Sequence, residues 1–211
     1  MTLGPSRLPD GEATLVLDAS AALNLLGSGR AAVVLRTIGR KMVMVEEAAR
    51  EVEHDPLGRG PGSAAIEALV AARLLRVVSL SPAACDLFAN LIAAPSPDGL
   101  DDGEAATIAY ALDTGGIPVL DEKKATRIVA TFPSPAPLCT LDLLSHPDLG
   151  AILGHTGLAD AVHSAIQHAR MRVQPLFRPW VVSLVGIERL RDCASFSQRW
   201  LVPSSISADR A

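Results

Sequence analysis

Two short apolar segments of this chain each run directly into an aspartate, and a helix-forming sequence follows both. Residues 15–17 (LVL) precede Asp18, and residues 118–120 (PVL) precede Asp121. In an open α/β fold the ligand crevice lies outside the carboxyl ends of parallel strands, so side chains placed just after two strands converge even when they are distant in sequence. The pattern therefore predicts an α/β fold in which a central parallel sheet brings these two carboxylates to one edge.

The size and composition of the chain favour helices packed over a small sheet. The 211 residues fit one domain with an appendage, and the hydrophobic fraction of 49% is sufficient for a substantial core. Aromatic residues make up only 3%, and most apolar residues are Ala, Leu and Val. This composition argues against a β-sandwich, which is rich in Tyr and Trp.

Charge and cysteine usage exclude several classes of protein. The formal net charge is -4 and the basic residues are scattered, so the chain does not have the electrostatic footprint of a protein that coats nucleic acid. The three cysteines are far apart, and the five histidines form no H-E-x-x-H pair, which indicates neither a disulfide framework nor a zinc site. No segment reads as a signal peptide or as a membrane span. We therefore expect a soluble cytoplasmic protein without a membrane partner.

We expect three regions along the chain. Residues 1–13 are predicted to be a flexible N-terminus, residues 14–174 the main domain, and residues 175–211 a C-terminal extension with a frayed end over 204–211. Four of the seven aromatic residues lie within 177–200. The extension is therefore expected either to dock on the main domain or to form a surface for another subunit.

Periodicity and turn signals predict alternating strands and helices over the main domain. Strands are expected over 14–18, 42–45, 77–80, 117–120 and 138–141. Helices are expected over 19–26, 31–38, 46–53, 63–74, 82–93, 122–130, 148–153 and 158–172, with a further helix that opens near residue 102. Breaks rich in Gly and Pro are expected over 54–62 and 94–99. The first has the glycines of a phosphate loop without the following Lys-Ser or Lys-Thr, so we interpret it as a hinge or lid.

Acidic residues cluster near the predicted strand ends. The main candidates are Asp18, Glu51, Glu104 and Asp121, with Asp102 and Glu122 close behind. Each of them alone has a structural explanation as a helix cap, a first-turn acid or a solvated residue. However, Glu47 and Glu51 form a like-charge i, i+4 pair, and three acids crowd the turn over 101–104, an arrangement that is unfavourable unless a cation is present. Oxygen ligands without Cys or His favour Mg²⁺ or Mn²⁺.

With these residues the chain resembles the PIN domain family of metal-dependent ribonucleases, which includes the VapC-type toxins. The resemblance rests on residues 15–20 (LVLDAS), 45–52 (VEEAAREV), 100–105 (LDDGEA) and 119–125 (VLDEKKA), and it extends from about Thr14 to Leu144. Two departures stand out. Glu122 replaces an Asp that is frequent in the family, and the tail after Gln174 is longer than a minimal domain of this kind requires.

The resemblance implies a three-layer α/β/α fold with a central parallel sheet and extra C-terminal helices. It also implies hydrolysis of RNA phosphodiester bonds by Asp18, Glu51, Glu104 and Asp121, of which Asp18, Glu104 and Asp121 hold Mg²⁺ or Mn²⁺. A small antitoxin protein and a homodimer are the further partners that it implies. The auxiliary candidates are Ser20, Asp102 and Glu122, and the candidates for contact with flanking phosphates are Lys123, Lys124 and Arg127.

Other functions remain open at this point. A catalytically silent PIN-like module that binds or regulates another protein would keep the acids for structure. An aspartyl phosphatase usually has a second Asp two positions after the first, where this chain has Ser20. Asn24, one turn after Ser20, is a further candidate to face the same crevice. A response-regulator receiver would place its acidic pair near the first strand, whereas the pair here, Asp101 and Asp102, is in a loop.

Overall fold

The computed structural model describes residues 4–93 and 99–197. Within these residues the chain forms one sheet of four parallel strands in the order β3-β2-β1-β4. The strands are β1 (Leu15–Leu17), β2 (Met42–Val45), β3 (Arg76–Val78) and β4 (Ile117–Val119). The helices are α1 (Ala19–Gly27), α2 (Ala31–Ile38), α3 (Glu46–Glu51), α4 (Gly62–Ala71), α5 (Pro82–Ile92), α6 (Asp102–Thr114), α7 (Lys123–Val129), α8 (Thr140–Leu144), α9 (Pro147–His168), α10 (Arg178–Val185) and α11 (Ile187–Arg191), with a 3₁₀ turn over Pro175–Phe177.

The fold is α/β with a central parallel sheet flanked by helices, as the sequence predicted. Every residue of β1, β2 and β4 is buried, which is typical of strands covered by helices on both faces. β1 is hydrogen-bonded to β4 with Leu17 opposite Val119. The residues that follow these two strands therefore leave the sheet side by side.

Local sequence signals explain where the helices near this edge begin and end. Asp18 is the N-cap of α1. Asp101 caps α6 and forms a reciprocal capping box with Glu104, and Gly115 ends the same helix in the left-handed conformation at φ 69°. These caps set the direction in which α1 and α6 start. They therefore also set the positions of the acidic residues in or just before the first turn of each helix.

The described part of the C-terminal extension docks on the main domain. Phe177, Val181 and Leu190 are fully buried and belong to the same hydrophobic cluster as Leu15 and Leu17 of β1. The helix α9 packs against both α1 and α10. It therefore connects the described part of the extension to the helix that follows β1. Of the two placements that the sequence left open for the extension, the structure shows docking.

One expectation about secondary structure is wrong. The predicted strand over 138–141 contributes only an isolated bridge between Leu138 and Val119, because the carboxylate of Asp142 accepts from the main-chain nitrogen of Cys139 and opens α8 instead. The helices predicted over 148–153 and 158–172 correspond to the two segments of α9, which are separated by a kink at Gly154 with φ 65° and ψ 175°. The predicted break over 94–99 and the frayed end over 204–211 fall wholly or mostly outside the described residues.

The N-terminal segment is bound to α8. Asp142, which is fully buried, accepts hydrogen bonds from the main-chain nitrogen, Nε and Nη2 of Arg7 at 2.9, 2.9 and 2.6 Å. The guanidinium of Arg7 also lies 5.9 Å from the centre of the Phe177 ring. The first described residues thus connect α8 with the C-terminal extension.

Across the described ranges, no helix is both long enough and apolar enough to span a membrane.

Candidate functional site

Asp18 is held at the carboxyl end of β1 with one carboxylate oxygen free. Its main-chain nitrogen donates to the carbonyl of Val119 at 3.2 Å, which ties the residue to β4. Its Oδ2 accepts from the hydroxyl of Ser20 at 2.7 Å and from the nitrogen of Ser20 at 3.3 Å. Its Oδ1 is buried without a hydrogen-bond partner, in a residue that is only 3% exposed. Buried carboxylate oxygens are nearly always paired, so this free oxygen requires an explanation.

Burial raises the pKa of Asp18 to about 6. The hydrogen bonds from Ser20 and the nearby main-chain nitrogen of Ala19 favour the charged form, but they do not compensate for the loss of water around the carboxylate. The negative charge of Asp101 raises the pKa further. Asp18 is therefore close to half-protonated in mildly acidic solution.

Glu104 lies in the first turn of α6 and is buried. Its Oε2 accepts from the nitrogen of Asp101 at 3.4 Å and lies 3.6 Å from Nζ of Lys124. Burial raises the pKa of Glu104 to about 7, and the charges of Asp101 and Asp18 add to this effect while Lys124 opposes it. The carboxylates of Glu104 and Asp18 are thus close enough for their charges to interact, although the two residues belong to different helices.

Glu51, at the end of α3, reaches the start of α6. Its Oε1 accepts from the nitrogen of Gly103 at 2.7 Å. A Cβ atom on Gly103 would come within 2.6 Å of Oε2 of Glu51, so only glycine leaves room for the carboxylate. Glu51 is exposed overall, but partial burial against α6 raises its pKa, and the charges of Asp101, Asp18 and Asp102 contribute to the increase.

Four acids thus form one cluster at this edge of the sheet, which we call the acidic cluster: Asp18, Glu51, Asp101 and Glu104. Two of them are buried and two are exposed, so the cluster faces solvent on one side. The sequence placed Asp18, Glu51 and Glu104 among the site residues. It did not assign a role to Asp101, although Asp101 and Glu104 have the spacing of a capping box. Asp102 is exposed beside them.

The carboxylate of Asp121 is directed at other partners. Its Oδ1 accepts from the nitrogen of Thr140 at 3.1 Å, and its Oδ2 accepts from Nδ2 of Asn24 at 2.8 Å and from the hydroxyl of Thr140. Burial raises the pKa of Asp121 against these three hydrogen bonds, and the charge of Asp142 adds to the increase. Thr140 is not among the residues that the sequence singled out, because its contact with Asp121 depends on the tertiary fold.

The basic candidates and Glu122 lie in or next to α7 and differ in their surroundings. Lys124 is held between Glu104 and the carbonyl of Gly99. Lys123 and Arg127 are exposed on α7, and Glu122 is exposed as its N-cap without a side-chain capping bond. Arg172, which the sequence did not single out, is partly buried with Nη1 3.5 Å from the carbonyl of Asp121.

The donor chemistry of the acidic cluster suits a hard divalent cation, but its side chains are not in a ligating arrangement. Among the described residues, no three or more His, Cys, Asp or Glu side chains are grouped so that they could hold a metal ion. The free Oδ1 of Asp18 is one available oxygen ligand, and Glu51 and Glu104 are close enough for their charges to interact with it. A cation at Asp18 would relieve the mutual repulsion that raises these pKa values, and Glu51 and Glu104 would have to turn toward it.

No family model matches this chain, and no curated protein or solved structure matches it either.

Proposed function

We propose that this chain is a Mg²⁺- or Mn²⁺-dependent ribonuclease whose active site is the acidic cluster. The observation that carries the proposal is the buried, unpartnered Oδ1 of Asp18 beside Glu51 and Glu104. An oxygen in this position loses hydration without gaining a hydrogen bond, which costs free energy unless a ligand completes the site. The resemblance of the motifs around these acids to those of PIN domains supports RNA as the substrate.

The residues of the cluster have separable roles in this proposal. Asp18, Glu51 and Glu104 hold the cation, and Ser20 fixes the orientation of Asp18 through its two hydrogen bonds. When bound, the cation lowers the pKa of a water nucleophile and neutralises the phosphate. Without it, the clustered negative charges repel a phosphodiester.

The positive residues around the cluster supply the contacts to flanking phosphates. Lys123 and Arg127 are exposed on α7, and Arg172 lies beside the carbonyl of Asp121. Contacts of this kind position a nucleic acid without reading its sequence. As further parts of the proposal, the RNA is cytoplasmic, a small antitoxin protein controls the activity, and the chain forms a homodimer. These last points depend on the resemblance alone.

A second candidate function is a catalytically silent module that binds another protein. It is favoured by the structural work that two of the acids already do. Glu51 binds the nitrogen of Gly103, and Glu104 completes the capping box of α6. Acids retained only for these hydrogen bonds would support the fold without supporting hydrolysis.

The experiment that separates the two candidates is a cleavage assay on a labelled single-stranded RNA, with Mg²⁺, Mn²⁺ or EDTA. Asp18→Asn keeps the shape of the side chain and its bonds to Ser20, and we expect it to lower the cleavage rate by about 100-fold. The matched control is Asp86→Asn, at an exposed acid on α5, which should cleave like the wild type. Cleavage that is insensitive to EDTA or to Asp18→Asn, or no cleavage at all, would contradict the ribonuclease proposal.

A further inference from the structure

We propose that Asp121 is a positioning residue that holds Asp18 in place, and that it is not itself a ligand of the cation. This inference rests on the proposed function, because it assigns a role within the same site. It departs from what the resemblance to PIN domains implies for this acid. The contacts of Asp121 carry it.

Three donors occupy three of the about four acceptor sites of the Asp121 carboxylate, and both of its oxygens accept at least one hydrogen bond. The donors belong to Asn24 and Thr140, and both residues are themselves buried. If Asp121 turned toward a cation, the amide of Asn24 and the hydroxyl of Thr140 would lose their acceptor in the protein interior. Leaving buried donors without an acceptor is strongly unfavourable. The hydrogen-bond set is therefore that of a structural carboxylate.

The electrostatic surroundings of Asp121 point the same way. The acid whose charge raises the pKa of Asp121 is Asp142. By contrast, Asp18 and Glu104 each respond to Asp101, and Glu104 also responds to Asp18. Asp121 is thus coupled to the buried acid of α8, whereas the members of the acidic cluster are coupled to one another.

The contacts of Asp121 connect it to Asp18 through α1. Asn24 lies on α1, and Asp18 is the N-cap of the same helix. Thr140 begins α8, whose Asp142 is bound by Arg7. The carboxylate of Asp121 therefore fastens α1 and α8 to the end of β4, and this fixes the direction in which α1 presents Asp18.

An exchange of the two polar side chains tests this role. Asn24→Asp alone places two carboxylates face to face, which is unfavourable in a buried site. In the double variant Asn24→Asp/Asp121→Asn, the amide of residue 121 can donate to the carboxylate of residue 24, and its oxygen can still accept from the nitrogen of Thr140. The exchange preserves the pairing between residues 24 and 121 and the net charge, and the second amide proton of residue 121 can donate to the hydroxyl of Thr140, which donates to Asp121 in the wild type. It removes the carboxylate from position 121.

The variants are compared by Mn²⁺ titration calorimetry, melting temperature and RNA cleavage. We expect Asp18→Asn to weaken Mn²⁺ binding by at least about tenfold, while Asp121→Asn and the double variant stay within about threefold of the wild type. Asn24→Asp should melt at least about 4 °C below the wild type, and the double variant should recover most of that loss together with most of the cleavage rate.

Loss of Mn²⁺ affinity in both Asp121→Asn and the double variant, to the extent seen in Asp18→Asn, would show that Asp121 is a ligand and would overturn the inference. So would a double variant that recovers neither melting temperature nor cleavage. If the wild type neither binds Mn²⁺ nor cleaves RNA, the proposed function fails. The melting temperatures of the single and double variants then decide by themselves whether Asp121 and Asn24 act as a structural pair.

Discussion

A free oxygen on a buried carboxylate distinguishes Asp18 from the other buried aspartates. Asp142 accepts hydrogen bonds from Arg7 and from the nitrogen of Cys139, and Asp55 accepts from Arg59 and from the nitrogen of Leu57. Both carboxylate oxygens of Asp121 likewise accept hydrogen bonds, from Asn24 and Thr140. A fully paired carboxylate stabilises its surroundings, whereas the one unpaired oxygen of Asp18 destabilises the protein in the absence of a ligand. This difference is the reason that the proposed function places the cation at Asp18.

The raised pKa values of Asp18 and Glu104 predict that the metal-free protein becomes less stable as the pH rises. Their values in the folded protein are about 6 and about 7, against reference values of 3.8 and 4.5. Between these values the folded state keeps protons that the unfolded state has already released. The free energy of unfolding is therefore highest below about pH 4, and it falls as the pH rises to about 7. For Asp18 alone the loss is on the order of 3 kcal/mol.

Melting temperatures between pH 5 and pH 8 in EDTA test this prediction. Asp18→Asn cannot ionise at this position, so it should melt above the wild type at pH 8 by about 4 °C and show a weaker dependence on pH. Asp86→Asn, at the exposed acid on α5, should follow the wild-type profile. If Asp18→Asn and the wild type have parallel profiles, the pH dependence of stability does not arise from the burial of Asp18.

The position of Glu51 is set by the contact between two helices, α3 and α6, and Glu51 does not directly follow a strand. Glu51 reaches its position only because Gly103 leaves space above the first turn of α6. Gly103→Ala should improve the intrinsic helix propensity of α6, but the added methyl group must displace the carboxylate of Glu51. The displaced atoms are the flexible end of a side chain, so the cost to stability is small.

We therefore expect Gly103→Ala to separate stability from activity. Its melting temperature should stay within about 3 °C of the wild type, whereas RNA cleavage should fall at least about tenfold because Glu51 leaves the acidic cluster. Gly157→Ala in α9 is the control, since its Cβ would lie 3.4 Å from Leu153 in ordinary contact. An active Gly103→Ala variant would mean that Glu51 is dispensable.

Some elements follow from local sequence and others do not. The sequence predicted α2 and β2 with the bounds that the structure shows. The helix α2 has a helical period and ends at Gly39 in the left-handed conformation, and β2 is a short uninterrupted apolar run. The segment over 138–141 has the apolar character of a strand, yet Asp142 turns it into a helix start. The helix start comes from the capping box between Cys139 and Asp142, and Arg7, which lies far away in sequence, binds the same buried carboxylate.

The same division applies to the candidate site as a whole. The sequence identified which acids follow strands or open helices, and parallel pairing of β1 with β4 brings Asp18 and Asp121 to one edge of the sheet. It could not show which carboxylate oxygens are free. That depends on donors such as Thr140 and the nitrogen of Gly103, which only the assembled fold brings into contact with Asp121 and Glu51.

The described part of the C-terminal extension shares a hydrophobic cluster with the sheet, and this predicts the behaviour of two adjacent residues in the 3₁₀ turn. Phe177 is 0% exposed and belongs to the hydrophobic cluster that includes β1, whereas Leu176 is 52% exposed. Phe177→Ala should lower the free energy of unfolding by about 3–5 kcal/mol, and Leu176→Ala by no more than about 0.5 kcal/mol.

Urea unfolding followed by both circular dichroism and tryptophan fluorescence measures this difference. Because α9 connects the extension to α1 and the sheet, the two signals should give one coincident transition in the wild type and in both variants. Phe177→Ala should shift its midpoint to lower urea with the slope unchanged. A separate early transition in Phe177→Ala, with the sheet still folded, would contradict this prediction. It would show that the extension unfolds independently of the sheet against which Phe177 is buried.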